Sequence, residues 1–109
     1  MSYPARAKRV TFQDEAMLQF EGEMVWCTTQ NLSVTGMAMT CPIPVPVRSQ
    51  VLLGFNLDPF AESESTQAVV VRARTTHEGC CLGVQFKGMD ADLFSRLSLY
   101  VRQNADTQS

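Results

Sequence analysis

Apolar and polar residues alternate along most of this chain, and the period changes only near its end. In VLLGFNL, residues 51–57, the apolar side chains Val51, Leu53, Phe55 and Leu57 occupy every second position, which puts them on one face of a strand. Leu82, Val84 and Phe86 repeat that spacing within CLGVQFK, residues 81–87. Residues 67–74, QAVVVRAR, predict a further strand, and THEG, residues 76–79, the turn between these two. Earlier in the chain, residues 10–20 predict a first strand broken near QDE, and EGE, residues 21–23, a Gly-centred hairpin turn. Residues 24–29 are rich in Trp, Val and Thr, which favour pleated structure. Residues 36–41 resume as a strand. Pro42, Pro44 and Pro46 then end it, because proline cannot donate to a ladder, and predict an extended edge or connector. Residues 58–66 form a polar, acidic loop. Beyond Met89, Leu93, Leu97, Tyr100 and Val101 fall on one side of a helix, with Asp90 placed to cap it and Asp92 to favour its positive end.

About six short strands with closely spaced turns predict a mainly β fold, a small antiparallel barrel or sandwich that pairs or hides its edges. The helix, over about residues 90–103, would cover one opening or one face. The length of 109 residues suits one domain. We read residues 1–9 as a mobile basic arm, 10–103 as the domain with its terminal helix, and 104–109 as a frayed polar tail.

Composition narrows the function classes. The net charge is −2 and the pI near 5.2, which disfavours a DNA or RNA binder, since those carry a basic footprint. The charge is unevenly placed. Arg6, Lys8 and Arg9 lie in the first nine residues without an acid among them, whereas Asp58, Glu62 and Glu64 cluster mid-chain. A basic arm on an acidic body suits a small anionic ligand or an acidic partner. No apolar run follows the N-terminal bases and none is long enough to span a membrane, so a cytoplasmic protein is expected, with Cys27, Cys41, Cys80 and Cys81 reduced.

Catalytic and metal chemistry find little support. His77, Cys80 and Cys81 are close in sequence, but adjacent strand residues point to opposite faces, and no C-x-x-C pair occurs. Neither a P-loop nor a dinucleotide fingerprint is present, and the carboxylates lie in a loop that would not hold them at a fixed separation. We expect no enzyme, no metal and no cofactor. Trp26 is expected in the core or at the barrel mouth, though a tryptophan can also stack on a base. Arg72 and Arg74 share one strand face, either a solvated outer surface or the wall of a basic groove.

That leaves NLSVTG, residues 31–36. In an extended segment Asn31 and Ser33 point one way, with their donors and acceptors outward, and Leu32 and Val34 point into the core. Gly36 removes a side chain where a backbone turns or a flat ligand comes close. The plainer alternative is a Ser/Asn-stabilised corner with the glycine at positive φ.

With these residues in view, the chain resembles a PilZ domain over residues 4–103. Asn31, Ser33 and Gly36 match that family's signature of Asp or Asn, any residue, Ser, any two residues, Gly. The basic segment just upstream of the first strand, the late LGVQF strand and the terminal helix also fit. The resemblance implies a six-stranded antiparallel barrel that binds the bacterial messenger cyclic di-GMP. It implies Arg6 and Arg9 as a clamp, Asn31 and Ser33 reading a guanine edge, and Gly36 leaving room for it. The family's other signature, Arg, any three residues, Arg, ends on Arg9, but its first position falls on Ala5. Arg6, one residue late, or Lys8 would then substitute. The expected function is a messenger receptor that signals to a downstream protein in motility or biofilm regulation. The alternative is an adaptor of the same fold that binds no nucleotide and acts through protein partners.

Overall fold

The computed structural model describes residues 8–58 and 60–108. Seven strands and one helix follow in chain order: β1 (Val10–Thr11), β2 (Glu15–Phe20), β3 (Glu23–Leu32), β4 (Gly36–Cys41), β5 (Gln50–Phe55), β6 (Glu64–Thr76), β7 (Gly79–Lys87) and α1 (Ala91–Gln108). All pairings are antiparallel, in the order β1-β3-β2-β5-β6-β7-β4, and a β3–β4 pairing closes the sheet on itself. The closed barrel therefore has six strands, and β1 is a short extra strand on β3 beyond the end of β2. Closure removes the free edges that an open sheet of this size would expose.

The predicted elements are recovered, with shifts that tertiary pairing explains. Residues 10–20 break between β1 and β2, as the QDE interruption suggested. Glu21 and Gly22 both adopt left-handed backbone, φ 51° and 82°, the turn whose twist matches the flanking strands. The proline segment, residues 42–49, is a connector without strand pairing. The acidic loop is shorter than expected: pairing of Phe55 with Glu64 starts β6 three residues before Gln67. The helix runs on to Gln108, where the sequence suggested a frayed tail from Asn104; the Asn104 side chain bonds back to the Tyr100 carbonyl at 2.8 Å within it.

The core comprises the inward halves of the strands. Ala16, Leu18, Cys27, Met37, Met39, Val51, Leu53, Phe55, Val70, Leu82 and Val84 are buried together, and Leu93 and Leu97 of α1 join them. Asp90 caps α1 as expected, its Oδ1 accepting the Leu93 N–H at 2.7 Å. Aromatic side chains bind the helix to the barrel. Phe12 meets Tyr100 edge-on at 5.7 Å and Phe55 at 6.4 Å, and Phe55 stacks on Phe86 at 6.2 Å.

Trp26 corrects an expectation. It is 60% exposed. Cys27 and the hydroxyl-bearing Thr29 take the inward phase of β3, so the alternation turns Trp26 outward, opposite Met17 of β2.

Candidate functional site

The β1–β2 break beside residues 31–36 is bridged by one threonine. Thr29 is fully buried, and its hydroxyl accepts the Asp14 N–H at 2.8 Å and donates to the Phe12 carbonyl at 2.6 Å. Its own N–H donates to the Asp14 carbonyl at 2.8 Å, and the Phe12 N–H donates to Gln30 at 3.0 Å. These bonds cross the break between β1 and β2, where an ordinary ladder would leave polar groups unpaired. Thr29 thus sets where β1 lies, opposite Leu32 and Asn31. Sequence reasoning missed this role, because a threonine in a strand looks like any other β-former.

With β1 in that place, Arg9 stands beside Asn31. Its Nη1 donates to Asn31 Oδ1 at 2.7 Å, joining side chains 22 residues apart. Since arginine has no acceptor, the bond orients the asparagine amide and leaves its NH₂ group as the donor. Arg9 is exposed and Asn31 half-buried. Lys8 is exposed next to them, and Arg6 lies outside the described residues.

Ser33 behaves differently from Asn31. The expectation that both face outward is corrected: Ser33 is fully buried. Its Oγ accepts the N–H groups of Thr35 at 3.2 Å and Gly36 at 3.1 Å, and its own N–H donates to the Gly36 carbonyl at 2.9 Å. The hydroxyl builds the corner between β3 and β4. Leu32 is buried and Val34 half-buried against the core, as the alternation implied.

Gly36 has a different surrounding from the one expected. Its φ is not positive, and the space a side chain would take is filled by β7. A Cβ there would collide with the backbone carbonyl oxygen of Val84, so the glycine allows β4 and β7 to approach. The motif therefore divides into one outward side chain, Asn31, and two residues, Ser33 and Gly36, that shape the corner carrying it.

Elsewhere, Cys80 is buried and Cys81 half-buried on the opposite face, the separation expected of neighbours in a strand. The Cys27 thiol is pushed well above its ordinary range by burial and by the neighbouring Cys41 thiol. Arg72 and Arg74 are exposed on the outer face of β6. Among the described residues no helix is long and apolar enough to cross a membrane.

A barrel closed as β3-β2-β5-β6-β7-β4, an extra strand set against the Asn-x-Ser-x-x-Gly corner and a C-terminal helix on the core define a PilZ-type fold. The PilZ domain family model matches residues 4–103, and the chain belongs to that family. Similar solved structures include the following three. The Bacillus subtilis inhibitor of motility, MotI/DgrA, aligns with TM-score 0.80 at 16% identity, over 99% of this chain and 55% of its own. The Borreliella burgdorferi PlzA protein in complex with cyclic di-GMP gives 0.67 at 13%, over 90% and 41%. The PilZ domain of Escherichia coli YcgR with cyclic di-GMP gives 0.68 at 11%, over 97% and 95%. The chain thus spans about half the length of the first two and nearly all of the third. No curated protein sequence matches it significantly.

Proposed function

We propose that this protein is a cyclic di-GMP receptor that signals to a downstream protein. The observation that carries the reading is the Arg9–Asn31 contact, which brings the basic arm against the only outward residue of the signature. The oriented NH₂ of Asn31 donates to the O6 or N7 acceptor of a guanine, and Arg9 with Arg6 or Lys8 pairs with phosphate or forks onto a guanine edge. Ser33 and Gly36 act by holding the corner. Family membership, and two similar structures that hold cyclic di-GMP, support the ligand.

The signal follows from the position of Phe12. It lies three residues from Arg9 in sequence and packs on Tyr100 of α1, so a ligand taken up at Arg9 bears on the helix surface. Calorimetric titration tests the reading. Binding is expected below about 100 μM, equivalent to about 5.5 kcal/mol. Arg9→Ala should weaken it by roughly ten- to 150-fold, the worth of one charge-assisted contact, and Ala5→Arg should tighten it. No binding at that concentration rejects the receptor; unchanged affinity in both variants rejects the arm as clamp.

A second reading, an adaptor that binds no nucleotide, is favoured by one feature. Trp26, Met17, Met24 and Leu52 lie together on the outer face of β3, β2 and β5, and Trp26, Met24 and Leu52 are exposed. Trp26 stands roughly 16 Å along β3 from Asn31, so this apolar strip fits a protein surface better than the nucleotide.

A further inference from the structure

One basic surface lies outside the arm and the signature. The barrel registers place Thr11, Asn31, Ala38, Gly83 and Arg72 in one cross-strand row over β1, β3, β4, β7 and β6. The next row places Thr40 opposite Cys81 and Cys81 opposite Arg74, with Gln30 Nε2 donating to Thr40 Oγ1 at 2.8 Å. Between Asn31 and Arg72 the row carries only Ala38 and Gly83, so its middle is low. The result is a trough of about 230 Å³ lined by Gln30, Ala38, Arg72, Arg74, Cys81 and Leu82. No carboxylate lines it. Neither arginine has a hydrogen bond or ion pair among the described residues, where the ion pair formed is Arg96–Glu64. In an acidic chain, two neighbouring cations without an acid are available to an anion.

A shift of register produces this arrangement. Pairing of β6 with β7 skips at Val71, between Val70 opposite Val84 and Arg72 opposite Gly83. The bulge turns Arg72 and Arg74 to the outer face, while Val70 remains in the core. The Arg72 guanidinium then lies over Gly83, with Nη2 and Cζ 3.2 and 3.3 Å from where a Cβ would stand. It leans inward over the trough.

We propose that Arg72 and Arg74 form the far wall of the nucleotide site, binding the second half of an anionic purine nucleotide whose first base is held at Asn31. Asn31 and Arg72 lie three strand spacings apart, roughly 14 Å at their backbones, and the long arginine side chain shortens that span. The trough is too small for a whole ligand of drug size and suits one base or phosphate of a larger one. Its floor at Ala38 carries no more than a methyl group, and the guanidinium plane that lies over Gly83 recognises a base or phosphate by stacking, by forking onto guanine O6 and N7, or by pairing with phosphate. The barrel wall would in this way supply cationic contacts that the arm lacks at Ala5. The inference rests on the receptor reading for the identity of the nucleotide, but not for the chemistry of the trough.

The test combines calorimetry with amide NMR on the full chain, using cyclic di-GMP and GMP as separate probes. Arg72→Ala and Arg74→Ala should each lower cyclic di-GMP affinity by roughly ten- to 150-fold with the melting temperature unchanged. Gly83→Ala, which displaces the flexible end of Arg72 and no backbone, should weaken binding in the same direction. If the wild type binds cyclic di-GMP and all three variants match it, the far wall is refuted and the receptor stands. If the wild type does not bind cyclic di-GMP, the receptor is refuted. GMP-induced shifts at Ala38 and Gly83 that vanish in R72A/R74A would then still uphold the trough, and their absence would refute it too.

Discussion

Asn31 and Ser33 sit two residues apart in one motif, yet they are bound into the protein by different forces. Asn31 makes an exposed bond to Arg9, whereas Ser33 satisfies two backbone N–H groups in a fully buried site. Ser33→Ala should therefore cost about 1–3 kcal/mol of stability, the penalty of leaving buried donors unpaired. Asn31→Ala should cost less than about 1 kcal/mol and fall instead on ligand affinity. Chemical denaturation and calorimetry on the two variants check the split. A Ser33→Ala protein as stable as the wild type would show that the hydroxyl does not hold the corner. Gly36→Ala belongs with Ser33: its Cβ meets a backbone carbonyl that cannot swing aside, and a loss of at least about 1–3 kcal/mol is expected.

The two elements that carry a signal are β1 and α1. β1 has only two residues, Val10 and Thr11, and two registered partners on β3, so its position depends on the Thr29 bonds beside it. α1 is tied to the barrel by its apolar face, by Phe12 on Tyr100, and by Arg96, which forks onto Glu64 with bonds of 2.6 and 2.8 Å. That ion pair raises the Arg96 pKa further, chiefly through its bonds to Glu64. Its exposure leaves packing and capping to dominate the helix. Asp90→Ala removes the acceptor of the Leu93 N–H and should cost about 0.5–2 kcal/mol, with the first turn of α1 losing protection in hydrogen exchange. Protection unchanged in that turn would show that barrel contacts alone hold it.

For the molecule as a whole, one buried and one half-buried ionisable group should set the alkaline limit of stability. Burial raises the Cys27 pKa, with the Cys41 thiol adding to it, and burial with the Asp14 charge raises that of Tyr100. Each group binds its proton more tightly when folded. Their contribution is therefore complete below the ordinary values of 9.0 and 10.0, and is lost as pH rises through the higher folded values. The melting temperature should fall from about pH 9 upward, and Cys27→Ala should flatten that fall although its cavity lowers stability overall. An equally steep fall in the variant would assign the limit to other groups.

Much of the barrel was legible from alternation, because a half-buried strand must repeat its apolar residues with a period of two wherever it lies. The run at 51–57, a strand as far as Phe55, the run at 81–87, the turn at Glu21–Gly22, and the capped helix after Met89 are local statements, and the structure contains each. The family resemblance rested on the Asn-x-Ser-x-x-Gly spacing, which is equally local. Phase and proximity are not local. Trp26 faces outward because neighbours on β3 claim the core, Ser33 is buried because the chain turns there, and Gly36 is needed because β7 passes beside it. Closure also brings Asn31 and Arg72, 41 residues apart in sequence, into one row. Spacing along a chain specifies which residues share a face of their own element. Which faces meet depends on how the strands pair around the barrel, and no run of residues states that alone.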